Sequence, residues 1–561
     1  MKKTWWKEAT IYEIYPRSFK DSNGDGIGDL RGIIQSLDYL RSLHVDILWL
    51  CPVFASPNDD NGYDISDYYR IMEVFGTMPD FDELLHEVHA REMRLIMDLV
   101  PNHCSDEHRW FQQARQSRDN PFRDYFHWQP PAPDGGPPNN WRSFFSGSAW
   151  EYDALTEEYY LHLFTKKQPD LNWENPAVRE EIYKIMDFWF EKNIDGFRMD
   201  VITLISKRPD FPSADFSSFT HVAETVYANG PRIHEYLREM NERVLSRYDV
   251  VALGEGVGIK PDNAALYVGE DREELDVIYH FDLLHLLNVN GRFSEKLSLD
   301  IVRLKTLIQT WYDAVGDSGW IVNTLGNHDY ARVVSRFGDE QQYWSASATL
   351  LITFLSTLRG TLGIYQGDEI GMTNVAFDSI DDYNDVETLN YYRERAVGQP
   401  AATQQALLAS IQDESRDNAR TPFQWNATAN AGFTTGTPWL KVSPNYTSIN
   451  VEAQESDPTS ILHYYRRMIR LRKEAPALIY GDYRCLNPDD PITYQYIRSW
   501  EEQDFYVLLN LSRDSARIDI PFRAAPQVLI NNYPTLDIDN GQLTLQPYQA
   551  VVLSQLPKAT S

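Results

Sequence analysis

Short apolar runs with alternating polar positions recur along the chain, and most are followed by a stretch with helical spacing. The pattern predicts strands near 9–16, 45–54, 94–101, 195–200, 250–255, 277–282, 320–326 and 361–366. Helical periodicity falls near 33–44, 80–92, 175–193, 232–248, 298–316 and 345–359, and TSILHYYRRMIRLRKEAPAL at 459–478 closes the series. Eight strands alternating with helices predict an α/β fold, a parallel (β/α)8 barrel whose reactive face is the C-terminal end of the strands. From 104 to 172 the rhythm stops, with QPPAPDGGPPNNW followed by short aromatic-rich strands, which predicts a domain inserted after the third strand. From about 481 onward, alternating strands with Asn, Pro and Gly turns predict a C-terminal antiparallel β-sandwich. The expected organisation is therefore a barrel over 1–103 and 173–480, an insertion over 104–172, and a sandwich over 481–561.

A length of 561 residues suits a barrel of about 250 residues or more with accessory domains. The 15 Trp, 33 Tyr and 25 Phe suit a large core, and also surfaces on which sugars stack. A formal charge of -30 argues against nucleic acid or an anionic membrane as partner. Cys51, Cys104 and Cys485 are odd in number and far apart, so no disulfide framework is expected. The opening MKKTWWKEATIYEIYP has no apolar core of a leader, and no run of about 18 apolar residues follows, so a cytoplasmic protein is expected. The composition does not fix the oligomeric state; a monomer or weak homo-oligomer is expected.

Residues 195–201, DGFRMDV, end one predicted strand in a carboxylate. Arg198 and Asp200 lie two apart, so in an extended strand both leave the same face. A guanidinium that close keeps a carboxylate ionised, as a nucleophile must be; a structural ion pair at a strand end is the alternative reading. Glu255 ends a later strand inside LGEG, and Asp329 ends another inside NHD. Three acids at three strand ends suggest a sugar-cleaving site. In 21–29, DSNGDGIGD, oxygen donors at alternate positions suit a hard divalent cation, with a metal-free Asx-rich turn as the alternative.

The segments DLVPNH (98–103), GFRMDV (196–201), GEG (254–256) and GNHD (326–329) resemble, in order and spacing, the four signature regions of the α-amylase family, glycoside hydrolase family 13. The resemblance implies that Asp200 is the nucleophile, Glu255 the general acid and base, and Asp329 the carboxylate that stabilises the transition state. Retaining hydrolysis needs the first two about 5–5.5 Å apart and no catalytic cofactor. With Arg198 at its side, Asp200 is expected to have a low pKa. Glu255 has no fixed charge beside it in sequence, so burial is expected to raise its pKa. His103 and His328 read either as core histidines or, from their place in two signature regions, as donors to sugar hydroxyls. The resemblance puts Phe164 and Gln168 on the sugar pocket wall, although Phe164 also reads as structural. It implies a structural calcium held by Asp21, Asn23, Asp25, the Ile27 carbonyl and Asp29.

NDDNGYDISDYY at 58–69 resembles the segment that closes the pocket in exo-acting members. Asp60 is expected to pair with an arginine of SRDNARTP, Arg420 before Arg416, with Tyr63 as the platform under the glucose. Such a capped pocket admits one terminal glucose of a small α-glucoside. The whole chain most resembles the oligo-1,6-glucosidase, isomaltase and dextran glucosidase branch, in which valine after the nucleophile accompanies α-1,6 activity, as Val201 does here. Sucrose isomerases are cousins with an arginine-rich loop where this chain reads FDLLHLLNVNG, so isomerisation is disfavoured. Tyr330 and Gly256-Val257 depart from the branch on the acceptor side. A non-catalytic transporter subunit of this fold is disfavoured by the three acids.

Overall fold

The computed structural model describes residues 2–215, 226–288, 291–294, 296–520, 526–539 and 541–555. Eight parallel strands form its centre: β1 (Thr10–Ile14), β2 (Ile47–Leu50), β3 (Arg94–Leu99), β4 (Gly196–Met199), β5 (Val251–Gly256), β6 (Val277–His280), β7 (Val322–Asn323) and β8 (Thr361–Tyr365). Each pairs with its sequence neighbour, β8 returns to β1, and an Ile278–Ile321 bridge joins β6 to β7, so the sheet closes on itself. The predicted run at 320–326 shrinks to a two-residue strand plus that bridge. Helices follow the strands, among them Met78–Ala90, Pro176–Glu191, Ile233–Arg243, Ile301–Val315 and Trp344–Thr357. Pro261–Val268, between β5 and β6, is a short helix that the periodicity did not reveal.

Side-chain alternation along the strands positions the site. Tyr12, Leu48, Leu95, Phe197 and Ala252 face outward into the apolar layer under the helices. Their neighbours Ile11, Trp49, Ile96, Leu253, Val277 and Tyr279 fill the barrel interior. One step of two toward the C-terminal ends, that same inward face presents Glu13, Asp98, Arg198 and Glu255, because strand residues two apart share a face. The strand registers put Asp98 beside Arg198 and Glu255 beside Tyr279. The polar groups thus form one stratum above the apolar ones.

After β3 the chain makes an excursion containing an antiparallel sheet of Trp128–Gln129, Glu158–Leu161 and Trp150–Asp153. Between β8 and the last barrel helix, Ile461–Glu474, lie two helices absent from the sequence reading, Val386–Ala396 and Ala401–Glu414. The C-terminal part is a five-stranded and a three-stranded antiparallel sheet. Leu508, Val551 and Leu553 of the first pack against Ile518, Leu543 and Leu545 of the second, giving the expected sandwich. No helix among the described residues is long and apolar enough to cross a membrane.

Candidate active site

Arg198 is fully buried and organises the barrel mouth. Its Nη1 reaches Asp200 at 2.7 Å and Asp98 at 2.9 Å, and its Nη2 reaches Glu255 at 2.8 Å. The single guanidinium therefore serves three carboxylates. This corrects one expectation. The Asp200 carboxyl is pushed up, not down: burial dominates, and Arg198 opposes it while Glu255 and Asp98 reinforce it. Burial likewise raises Asp98 to about 6. Glu255 is not remote from fixed charge, since the Arg198 fork touches it. One proton held within this group of acids relieves the excess negative charge, as like charges in a dry site demand.

Glu255 accepts two further hydrogen bonds, from the Tyr279 hydroxyl at 2.8 Å and the Val201 amide at 2.8 Å. Val201 pays for that contact with a left-handed backbone, φ 37° and ψ 41°, which β-branched residues avoid. Across the mouth, Asp329 accepts from Arg416 at 3.1 Å and Arg420 at 2.9 Å. Burial alone would raise it, but His328, Arg416, Arg420 and Arg292 outweigh burial and hold it well below the usual carboxylate range. The expected partner of Asp60 is Arg420 before Arg416; in the structure Arg416 takes that place at 3.3 Å while also reaching Asp329. Gln168 donates to Asp60 at 3.1 Å and lies 3.3 Å from His103 Nε2. Tyr63 donates to Asp98 at 3.0 Å, and its ring stacks on His328 with centroids 5.3 Å apart. Burial lowers His103 to about 4, so this ring is neutral near pH 7. His328 Nδ1 is 2.6 Å from Glu13, whose own neighbour is Cys51.

A cleft of about 1200 Å³ opens from these acids and is walled by Phe144, Phe145, Phe164, Tyr227, Phe281 and Tyr330. Phe164 stacks on Phe144 at 5.2 Å and contacts His103 at 4.9 Å. Of the residues expected at the pocket, Glu255, Asp329, Phe164 and Arg416 line this cleft. Arg198, Arg420, Asp60, His103 and His328 each touch one of those four.

Residues 13–481 match the α-amylase catalytic-domain family model, and 494–552 match the α-amylase SusG C-terminal domain. The chain belongs to the α-amylase family. Among its relatives, an oligo-1,6-glucosidase of Parageobacillus thermoglucosidasius is 50% identical over 98% of this chain and 99% of the relative. One of Bacillus cereus is 49% identical over the same shares. The crystal structure of an isomaltulose synthase mutant from Erwinia rhapontici NX5 superposes with a TM-score of 0.95 at 43% identity, covering 99% of this chain and all of the other.

Several groups of this α-amylase-family site escaped the sequence reading. Asp385 and Glu387, at the start of the 386–396 helix, approach Arg416 at 2.6 and 3.6 Å, and Glu387 also holds Arg292 at 3.0 Å. Arg292 in turn donates to the Asp329 carbonyl. Tyr279 and Glu13 were missed because neither lies in a recognisable motif; their place on the inward face of β6 and β1 was the available signal. The 21–29 loop has the oxygen-rich donor set a hard cation needs. As folded, Asp21 accepts amides of Asn23, Gly24 and Gly26, and Asp29 caps the helix Leu30–Gln35 through Gly32 at 2.7 Å.

Proposed function

We propose that this chain is a retaining, exo-acting α-glucosidase that removes the terminal glucose of short α-1,6-linked glucosides. Asp200 attacks the anomeric carbon, and Glu255 donates its proton to the departing oxygen. Water then enters from the vacated side, gives a proton to Glu255 and displaces Asp200, so the α configuration is kept. Asp329, fixed by two arginines, accepts hydrogen bonds from sugar hydroxyls and favours the positive charge that develops on the ring. His103 and His328, both neutral near pH 7, are suited to hydroxyl contacts. The observation carrying this reading is that Asp200 and Glu255 sit on the two terminal nitrogens of one buried guanidinium at the barrel mouth, facing Asp329.

Exo action is supported by Arg416, which bridges Asp60 and Asp329 and so matches the charged cap expected at the glucose end of the pocket. The α-1,6 preference is supported by relatives named oligo-1,6-glucosidase and by Val201. Isomerisation of sucrose is the second reading, favoured by the fold likeness to isomaltulose synthase. Against it, 281–288 and Gly291 carry no arginine, and Arg292 is committed to Glu387. We also read 21–29 as a structural calcium loop, with Asp21, Asn23, Asp25, Asp29 and the Ile27 carbonyl as ligands. The decisive experiment is product analysis on isomaltose, maltose, sucrose and isomaltotriose. Isomaltose should be turned over best and release α-glucose first. Asp200→Asn should lower kcat by at least about 10⁴-fold with the fold intact. Isomaltulose as the main product from sucrose would replace this reading with the isomerase one.

A further inference from the structure

Glu255 needs its proton for the first chemical step and must be without it for the second. The groups that face it decide which form is favoured. From β4 comes Arg198, with Asp200 just beyond the strand; from β3, Asp98; from β6, Tyr279; and from the segment after β7, Tyr330. Among these, Tyr279 alone both touches Glu255 and carries an uncharged donor. Its hydroxyl accepts from Arg198 Nη2 at 2.7 Å and Nε at 3.2 Å, and donates to Glu255 Oε1 at 2.8 Å. Glu255 Oε2 takes the Val201 amide and Arg198. The direction of this chain follows from chemistry. Guanidinium has no lone pair to offer, so the phenol oxygen must accept from it, and its single proton is left for Glu255.

The β6 register makes the contact a fixed one. Tyr279 is the Cα partner of Glu255 across β5 and β6, and its ring is 2% exposed, tilted against Trp49 at 6.2 Å and Phe281 at 5.8 Å. This packing holds the ring, so the phenol oxygen stays within hydrogen-bond reach of Glu255 Oε1 and Arg198.

We propose that Tyr279 is a positioning residue that relays the charge of Arg198 onto Glu255 Oε1, favouring its carboxylate form and fixing the rotamer from which it passes the proton. This rests on the α-glucosidase reading above and deepens it. A donor aimed at the charged form strengthens the acid that delivers the proton to the aglycone oxygen and stabilises the base left behind.

The test is Tyr279→Phe, which removes one oxygen and keeps the ring. Loss of a donor to the carboxylate should move the alkaline limb of kcat/KM for isomaltose upward by about one pH unit. At the optimum, kcat for isomaltose should fall about tenfold while KM stays within about twofold. An aryl α-glucoside with an activated phenolate leaving group needs little protonation and should lose much less. Tyr279→Gln, which restores an N–H donor, should return the limb toward its original position, and it serves as the test if the first variant does not fold. An unshifted limb in active Tyr279→Phe, or equal losses on both substrates, overturns the assignment. The same limb in Tyr279→Gln as in Tyr279→Phe does so too. A wild-type chain inactive on isomaltose and aryl α-glucoside alike would instead overturn the glucosidase reading.

Discussion

Asp60 lies 4% exposed between the Arg416 guanidinium and the Gln168 amide, and the burial outweighs both partners, so its carboxyl is raised to about 7. A carboxyl raised in the folded state holds its proton there through a range where the unfolded chain has lost it. Its contribution to stability is therefore complete below about pH 4 and is lost as pH rises toward 7. Asp60→Asn removes that dependence. We expect the melting temperature of the variant to gain on the wild type from about pH 5 to about pH 7 and to level off above it, by an amount equivalent to about 2–4 kcal/mol, in differential scanning calorimetry. A constant offset would contradict it. Other residue-scale properties were only partly legible. Arg198, Asp200, Glu255 and Asp329 stood out because short motifs carry them. The sharing of Arg198 among three acids did not, since Asp98 lies a hundred residues earlier and meets Arg198 only through β3–β4 pairing. Nor did the sequence betray the strained backbone of Val201, which depends on where Glu255 is held.

At the scale of elements, the helix Val386–Ala396 is the least expected contributor. Its N-cap Asp385 and first-turn Glu387 bind Arg416 and Arg292, two of the cations that approach Asp329. Asn390 of the same helix donates to the Phe145 carbonyl at 3.2 Å, tying it to the excursion after β3. The helix thus sets the far wall of the cleft. Glu387→Gln leaves Arg292 with a neutral partner, and KM for isomaltose should rise about tenfold with kcat changed less than about threefold, measured by initial rates. A change confined to kcat would argue that this wall acts on the chemistry instead. The barrel strands were readable because alternation is strong where one face packs the interior and the other the helices. The hairpin at 386–414 was not, because most of its surface is polar and solvated, and the apolar stripe that marks a helix is weak there. Pro261–Val268 was too short to show a period.

For the whole molecule, the N-terminal loop and a distant segment are stitched together. The Asp21 amide donates to the Phe433 carbonyl at 3.0 Å, Thr434 donates to the Asp21 carboxylate, and the Trp439 amide donates to the Gly26 carbonyl at 3.0 Å. Gly26, at φ +94°, is pressed so close that a Cβ would lie 1.8 Å from the Thr437 carbonyl oxygen. If calcium occupies this loop, chelation should lower the melting temperature by several degrees and leave kcat at 25 °C unchanged, because the proposed two-carboxylate chemistry needs no metal; calorimetry with and without chelator decides it. An unchanged melting temperature would leave the loop a metal-free turn. The resemblance of four motifs made the broad architecture legible. How the segment from 424 to 440 folds back on residue 21 was not, since such contacts carry no local pattern.

The wall that joins Asp60, Arg416 and Asp329 has a kinetic corollary. On the proposed exo reading the cavity has a single doorway, and the freed glucose sits behind the sugar from which it was cut. The shortened aglycone must therefore depart first. Each catalytic cycle then ends with the chain fully released, so long isomalto-oligosaccharides are trimmed one unit per encounter and intermediates of every length accumulate together. Free glucose, the last to leave, competes with the next substrate for the same seat.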